Sequence, residues 1–107
     1  MSNLGNTPQI MLMAPELSSV MDGTDKQIGS TGLLYNPYKI IFDNQGTVAV
    51  AIKYSNDGVN FNTWRTFPAG EALVLDDELG AFSIGTKFYG NGASGTFSIS
   101  YVYLKIN

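Results

Sequence analysis

Apolar and polar side chains alternate most regularly between Thr47 and Ser55. The apolar residues of this stretch recur at every second position: Val48, Val50, Ile52 and Tyr54. Because successive side chains of a strand point to opposite faces, the pattern predicts a half-buried strand. Asn56-Asp57-Gly58 then supplies residues that tolerate positive φ, and a second strand-like run, Val59 to Phe67, follows. The whole segment is predicted to be a β-hairpin.

Turn-forming residues divide the rest of the chain into short runs rich in β-branched and aromatic residues. These runs are Tyr38 to Asp43, Glu71 to Leu75, Ala81 to Ile84, Thr86 to Tyr89 and Thr96 to Ile106. Phe67-Pro68-Ala69-Gly70 fits a type I turn, and Gly90 to Gly95 fits a hairpin tip. Sustained helical periodicity is missing, so at most one helical turn is expected, near Pro15 to Met21. The prediction is an all-β fold, an antiparallel β-sandwich of jelly-roll or immunoglobulin type with about seven to eight strands.

The N-terminal part of the chain has a weaker pattern. Gln9 to Met13 is apolar on both faces, whereas Ser18 to Ser30 is polar and contains glycine. We therefore expect residues 1–30 to form an extended arm or first strand and then a loop, within one domain spanning residues 1–107. Met1 to Thr7 carries no positive charge, and Ile10 to Ala14 is too short for a signal-peptide core or a membrane span. An unprocessed chain that does not enter a membrane is expected.

The last predicted strand, Thr96 to Ile106, is apolar on both faces in its second half. One face carries Phe97, Ile99, Tyr101 and Tyr103, and the other changes from serines to Val102, Leu104 and Ile106. Such a strand has to be covered on both sides. The cover comes either from the chain's own N-terminal arm or from another subunit, and exchanged arms in a homo-oligomer would serve equally well. The candidate interface residues are Ile10, Met11, Leu12, Met13, Val102, Leu104 and Ile106.

The composition excludes several classes of function. Charged residues make up only 14% of the chain, against about a quarter in typical soluble domains, so much of the surface is uncharged, as suits an assembly component. Six basic and nine acidic residues give a net charge of −3, and the basic residues form no cluster, so nucleic acid is not an expected partner. Cysteine and histidine are both missing, which removes disulfides, thiolate chemistry and the commonest proton-transfer group.

Candidate catalytic and metal-binding motifs are weak. Asp76-Asp77-Glu78 is the densest acidic cluster, but neighbouring side chains of an extended chain point apart, and the ligand spacing of a calcium loop is missing. A solvated turn is the better interpretation. The chain has no Gly-x-Ser-x-Gly motif, and Gly90 to Gly95 lacks the Lys-Ser/Thr ending of a phosphate-binding loop. We therefore expect a protein that is not an enzyme and that binds no cofactor and no metal.

The single tryptophan, Trp64, depends on the register of the hairpin. A two-residue loop at Asp57-Gly58 would place Trp64 opposite Ala51 on the outer face, as an exposed aromatic ring. A three-residue loop would place it opposite Val50 in the core. In the first case Trp64, Asn60 and Asn62 would form a platform suited to sugar rings, because aromatic faces flanked by amides bind carbohydrates. A carbohydrate-binding module is thus the alternative function, with glycans as partners.

The stretch from Asp43 to Ile106 resembles the small β-sandwich proteins of tailed-bacteriophage virions, such as head decoration proteins and domains at fibre bases. The likeness lies in Gly46-Thr47-Val48-Ala49-Val50, Ser55-Asn56-Asp57-Gly58, Pro68-Ala69-Gly70-Glu71 with Leu75-Asp76, and Gly85-Thr86-Lys87-Phe88-Tyr89 before a Tyr-rich last strand. The resemblance implies a virion structural protein, made in the host cytoplasm, that decorates, cements or anchors on the capsid or tail. Its partners would be capsid or other virion proteins. No coiled-coil or triple-helical stalk is present, which favours a decoration or adaptor protein over a receptor-binding tip.

Overall fold

Strands form almost all of the regular structure in the computed structural model, which describes residues 9–76 and 82–106. Within these residues there is no helix, and nine strands form two antiparallel sheets that pack as a β-sandwich. The strands are β1 (Gln9–Met13), β2 (Leu17–Val20), β3 (Lys26–Gln27), β4 (Lys39–Asn44), β5 (Val50–Ser55), β6 (Asn62–Phe67), β7 (Ala72–Leu75), β8 (Lys87–Asn91) and β9 (Thr96–Ile106). The predicted fold class is confirmed.

Sheet A is organised around the long strand β9. Its order is β1-β9-β4-β7, and β2 also pairs with β9. Strand β1 pairs with the C-terminal half of β9, with Met11 opposite Leu104, and β2 pairs with the N-terminal half, with Leu17 opposite Ile99. Between β1 and β2, the Ala14 amide donates to the Tyr101 carbonyl at 2.9 Å, so the chain stays attached to the edge of β9. Sheet B has the order β3-β8-β5-β6.

The core between the sheets consists mainly of aromatic rings. Phe42 of sheet A is 0% exposed and lies 5.4 Å from the ring of Phe88 and 5.9 Å from that of Phe67, both on sheet B. Tilted and edge-to-face arrangements at such distances are the favourable geometries for aromatic pairs. Phe82 also packs into this cluster, 6.0 Å from Phe42. The aromatic side chains thus join the two sheets.

Several local predictions are wrong. Gly90 to Gly95, predicted to be a hairpin tip, contains the end of β8 and the connection from sheet B to β9 of sheet A. Ser18 to Ser30, expected to be a loop, contains most of β2 and all of β3, and Leu17 and Met21 on either side of β2's outer residues are buried against the core. The segment near Pro15 to Met21 forms no helical turn, which agrees with the prediction of at most one. Residues 82–84 of the predicted strand Ala81 to Ile84 are not a strand; the Ser83 amide instead donates to the Thr86 hydroxyl at 3.1 Å. The turn after β6 lies one residue later than predicted.

This turn spans residues 68–71. The Glu71 amide donates to the Pro68 carbonyl at 3.1 Å. Gly70 has a φ of 75°, the positive value that a type II turn requires at its third position. Because only glycine adopts this conformation at low cost, Gly70 rather than Pro68 sets the place of the turn.

The predicted hairpin is confirmed, but its loop is longer than expected. Strands β5 and β6 pair with Val50 opposite Phe67, and the connection runs from residue 56 to residue 61. One carboxylate oxygen of Asp57 accepts the backbone amides of Val59 and Asn60, both at 2.8 Å. Gly58 takes a φ of 79° and donates its amide to the Ser55 hydroxyl at 2.8 Å. These hydrogen bonds stabilise a longer loop than the two- or three-residue turns.

Candidate interaction surface

The outer face of sheet A exposes a set of large apolar side chains. Met13 is 68% exposed, Met11 54% and Val74 52%, while Leu104 and Ile41 are 39% and 38% exposed. Val102 is half-buried among them. We call these six residues the apolar outer face: Met11, Met13, Ile41, Val74, Val102 and Leu104.

Strand alternation accounts for the outward direction of these side chains. In β4, Ile40 and Phe42 are 0% exposed, so Ile41 between them points away from the core. In β7, Leu73 and Leu75 pack against the core, and Val74 points outward for the same reason. Both strands carry three consecutive large apolar residues, Ile40-Ile41-Phe42 and Leu73-Val74-Leu75, only two of which the core can use. This signal is present in the sequence, although Ile41 and Val74 are not among the interface residues predicted from it.

The sheet register brings the apolar side chains together. Met11 lies opposite Leu104, Met13 opposite Val102, and Ile41 opposite Val74. Cross-strand neighbours on one face have Cβ atoms about 4.5–5.5 Å apart, so each pair is in contact range. The three pairs cover sheet A from its first strand to its last.

The position of strand β1 shows whether the N-terminal segment covers the outer face of β9. Strand β1 pairs edge to edge with β9 instead of lying over it, so the N-terminal segment widens the apolar outer face and does not cover it. Of the predicted interface residues, Met11, Met13, Val102 and Leu104 share this face. Ile10 and Leu12 alternate with them and lie on the opposite side of the sheet, where Leu12 is half-buried. Ile106 pairs with Gln9, and its side chain lies outside the described residues.

Polar side chains surround the apolar outer face. In β4, Lys39 and Asp43 flank Ile41 on the outer side, opposite Val102 and Ser98 of β9. The Asp43 carboxylate accepts a hydrogen bond from the side-chain amide of Gln45 at 3.2 Å. The Ser100 hydroxyl donates to Glu16 at 3.2 Å. The surface is therefore an apolar band bordered by charges of both signs.

A second surface feature is a groove of about 280 Å³ on the outer face of sheet B. Its lining residues are Asp25, Ala51, Ile52, Lys53, Thr63 and Asn91. The Asn91 amide donates to Asp25 at 2.8 Å, and the Lys53 ammonium pairs with the other oxygen of the same carboxylate. The hydrogen bond from Lys53, followed by that from Asn91, lowers the pKa of Asp25 below its ordinary value. Asp25 thus stays ionised well below neutral pH.

An aromatic pair lies beside this groove. The rings of Phe61 and Tyr89 meet edge to face at 5.0 Å, and the Lys53 ammonium lies 5.7 Å from the centre of the Phe61 ring. Phe61 is 47% exposed. We call the groove together with this pair the sheet B groove. Neither Phe61 nor Tyr89 was among the candidate site residues inferred from the sequence.

Trp64 lies on the side of β6 that faces the core. Its ring is 4.8 Å from Phe42, 5.6 Å from Phe67 and 5.2 Å from Phe82. The register shifts between Ile52 and Lys53, which makes Trp64 the extra residue of a β-bulge. Neither register considered from the sequence is correct, since each assumed regular pairing and a shorter loop, but the core-facing direction of Trp64 agrees with the second alternative.

The other two residues of the predicted sugar platform are exposed. Asn60 lies in the loop, where its side chain donates to Asp57 at 2.8 Å. Asn62 lies at the start of β6, opposite Tyr54. Trp64 itself is half-buried against the core, and glycan binding at this platform stays a prediction.

The described residues contain no group of three or more His, Cys, Asp or Glu side chains arranged to hold a metal ion. Asp76 of the acidic cluster is exposed, while Asp77 and Glu78 lie outside the described residues. No helix long and apolar enough to cross a membrane occurs in the part of the chain that the structure describes.

Comparison of the chain with protein-family models, curated proteins and solved structures found no match. The resemblance to phage virion proteins therefore stays a prediction from turn and strand patterns. Surface chemistry has to carry the functional conclusion.

Proposed function

We propose that this chain is a non-enzymatic structural protein of a bacteriophage virion, which decorates, cements or anchors by binding a neighbouring protein through the apolar outer face. The observation that carries the proposal is the exposure of five large apolar side chains by more than a third of their surface on one face of sheet A. Contiguous exposed apolar patches mark interaction sites in soluble proteins. The low content of charged residues, 14%, supports a surface that is covered in the assembled state.

Burial of this face contributes free energy to attachment. Full burial of one large apolar side chain contributes about 1.5–3 kcal/mol. The side chains of the apolar outer face are already partly covered, so each gains about half of that amount. The total of several kcal/mol has to exceed the loss of rotational and translational freedom on association. Many copies on one particle surface would add avidity.

The proposal is tested by mass spectrometry of purified particles of the phage that encodes this chain. The wild-type chain is expected in the particles at a fixed ratio to the major capsid or tail protein. A Met13→Ser/Val74→Ser variant is expected to stay folded by circular dichroism and to be lost from the particles. Val59→Ser is the matched control, because Val59 is 76% exposed but lies in the hairpin loop, away from this face. A wild-type chain that is missing from washed particles would refute the proposal.

A second candidate function, glycan binding, is favoured by the sheet B groove rather than by Trp64. The Phe61 ring offers an exposed apolar surface, and Asp25, just before β3, and Asn91, at the end of β8, place a carboxylate and an amide in the same groove. Sugars are bound by this combination of ring stacking and fixed polar groups.

A glycan array separates the two possible sugar sites. Phe61→Ser is expected to abolish retention, whereas Trp64→Phe is expected to preserve both the fold and retention. If Trp64→Phe abolishes retention and Phe61→Ser does not, the glycan site is the hairpin platform at Trp64 instead. A parent protein that retains no glycan would exclude this function altogether.

A further inference from the structure

The outward-facing residues of β4 carry a positive charge near one end of the strand and a negative charge near the other. Lys39, Ile41 and Asp43 point outward in succession, as a cation, an apolar residue and an anion. A strand of this kind matches a second copy of itself running in the opposite direction, because each end then meets the opposite charge. Twofold symmetric interfaces have this property of self-complementarity.

We propose that the apolar outer face binds a second copy of this chain, with sheet A packed on sheet A about a twofold axis through Ile41 and Val74. The axis lies along the row formed by these two cross-strand neighbours, perpendicular to the strands. Lys39 then faces Asp43 of the partner subunit, and the same pair forms a second time. The inference rests on the proposed function, since it names another copy of the chain as the neighbour that covers this face.

The rest of the face fits the same arrangement. On β9, Leu104 meets the partner's Thr96, a smaller side chain that is partly exposed. Val102 meets the partner's Ser98, which is 3% exposed and offers little surface. Met13 meets the partner's Ser18 in the same way, because the register aligns Met13 with Val102 and Ser18 with Ser98. Met11 meets the partner's Val20, which is 62% exposed and lies opposite Thr96. Apolar side chains of β1, β4 and β7 are thus covered, whereas Glu16, which accepts from Ser100 on the row of the axis, faces its own copy.

The area of the face is sufficient for a dimer. Four neighbouring strands spaced about 4.8 Å apart, over about eight residues of about 3.4 Å each, cover about 500 Å² of each subunit. Two such faces bury about 1,000 Å², the lower limit for a specific interface. We therefore expect a dimer with a dissociation constant in the micromolar range, which becomes stable at the high local concentration of a particle surface.

A charge-exchange experiment tests this geometry in solution. The dissociation constant is measured by sedimentation equilibrium for the wild-type chain, Lys39→Glu, Asp43→Lys and the double variant. Each single reversal brings like charges together at two symmetric places and is expected to raise the dissociation constant by about tenfold or more. The double variant restores opposite charges and is expected to return to within about threefold of the wild type.

Lys26→Glu is the matched control. It changes the net charge as Lys39→Glu does, but Lys26 lies exposed on β3 of sheet B, so dimerisation is expected to be unchanged. A wild-type chain that stays monomeric to millimolar concentration refutes the dimer. The arrangement is refuted if the single reversals leave the dissociation constant unchanged. It is also refuted if the double variant has a dissociation constant as high as that of the single variants. A monomer that still associates with phage particles would overturn this inference alone, whereas a charge-dependent dimer missing from particles would overturn only the proposed function.

Discussion

The side chain of Asn44 is expected to contribute more to stability than any exposed asparagine of the chain. Asn44 ends β4 in sheet A and is 1% exposed. Its amide nitrogen donates to the carbonyls of Val48 at 2.9 Å, Phe67 at 3.1 Å and Pro68 at 3.1 Å. Its amide oxygen accepts the backbone amide of Gly46 at 3.0 Å. One side chain thus connects the end of sheet A to the turn that follows β6 of sheet B.

The cost of removing this side chain follows from its hydrogen bonds. The amide group has two hydrogens and shares them among three carbonyls, so with the accepted bond it makes the equivalent of three hydrogen bonds. Each contributes about 1 kcal/mol, and an acceptor left unpaired in the interior costs more. Asn44→Ala should therefore lower the free energy of unfolding by about 2–4 kcal/mol. That loss is a large share of the roughly 5–15 kcal/mol that stabilises a typical domain.

Urea denaturation at 25 °C and neutral pH measures this loss. Asn44→Asp separates hydrogen bonding from packing, because aspartate has the same shape but, when ionised, can only accept hydrogen bonds. We expect Asn44→Asp to be at least as destabilised as Asn44→Ala at pH 7. The difference from the wild type should decrease at acidic pH, where the carboxyl group is protonated and regains a donor. Asn62→Ala, at an exposed strand position, should change stability by less than about 0.5 kcal/mol. An Asn44→Asp variant as stable as the wild type would refute the reasoning.

The remaining predictions concern the loops. Amide hydrogen bonds from Asn60 and Val59 hold the pKa of Asp57 well below its ordinary value, so its stabilising effect is complete above about pH 4, the unfolded pKa, and is lost as the pH falls toward the lower folded pKa. Asp57→Ala should therefore destabilise the protein at pH 7 and much less at pH 2, as measured by thermal denaturation; an equal deficit at both pH values would contradict this. Gly95→Ala should cost about 2–3 kcal/mol, because Gly95 has a φ of 91° and an added Cβ would lie 2.7 Å from the Gly46 Cα. Gly70→Ala, with a φ of 75° and open space around it, should cost only about 1 kcal/mol, and equal losses would show that the loop contact is unimportant.

The local pattern of the chain was enough to predict much of the fold. The alternation over Thr47 to Ser55 predicted β5, which begins three residues later, at Val50. The inward direction of Val50 and Ile52 is as the pattern indicated, since each is 1% exposed, whereas Ser55, expected on the outer face, is buried. The long last strand and the strand before Asn44 were also predicted nearly to their ends. Errors occurred where hydrogen bonds of single side chains set the length of a loop, as Asp57 does, or where a bulge changed the register, as at Trp64.

The candidate sites were predicted less completely. Sequence reasoning found the apolar second half of β9 and the apolar residues of β1, but it could not tell whether one covers the other. The residues of the sheet B groove lie on four different segments, and none of them stands out in its own part of the chain. Asp25, for example, is recognised as part of a candidate site only because the fold places Lys53 and Asn91 beside it.

By itself the sequence determined the fold class, because the two-residue period of apolar side chains is a property of each strand and needs no partner. It also determined the low content of charged residues and the lack of cysteine and histidine. Only the tertiary structure decided which apolar faces are covered. Coverage depends on the register between strands far apart in the chain, such as Met13 with Val102 and Ile41 with Val74. That register results from packing of the whole aromatic core, which no local segment specifies.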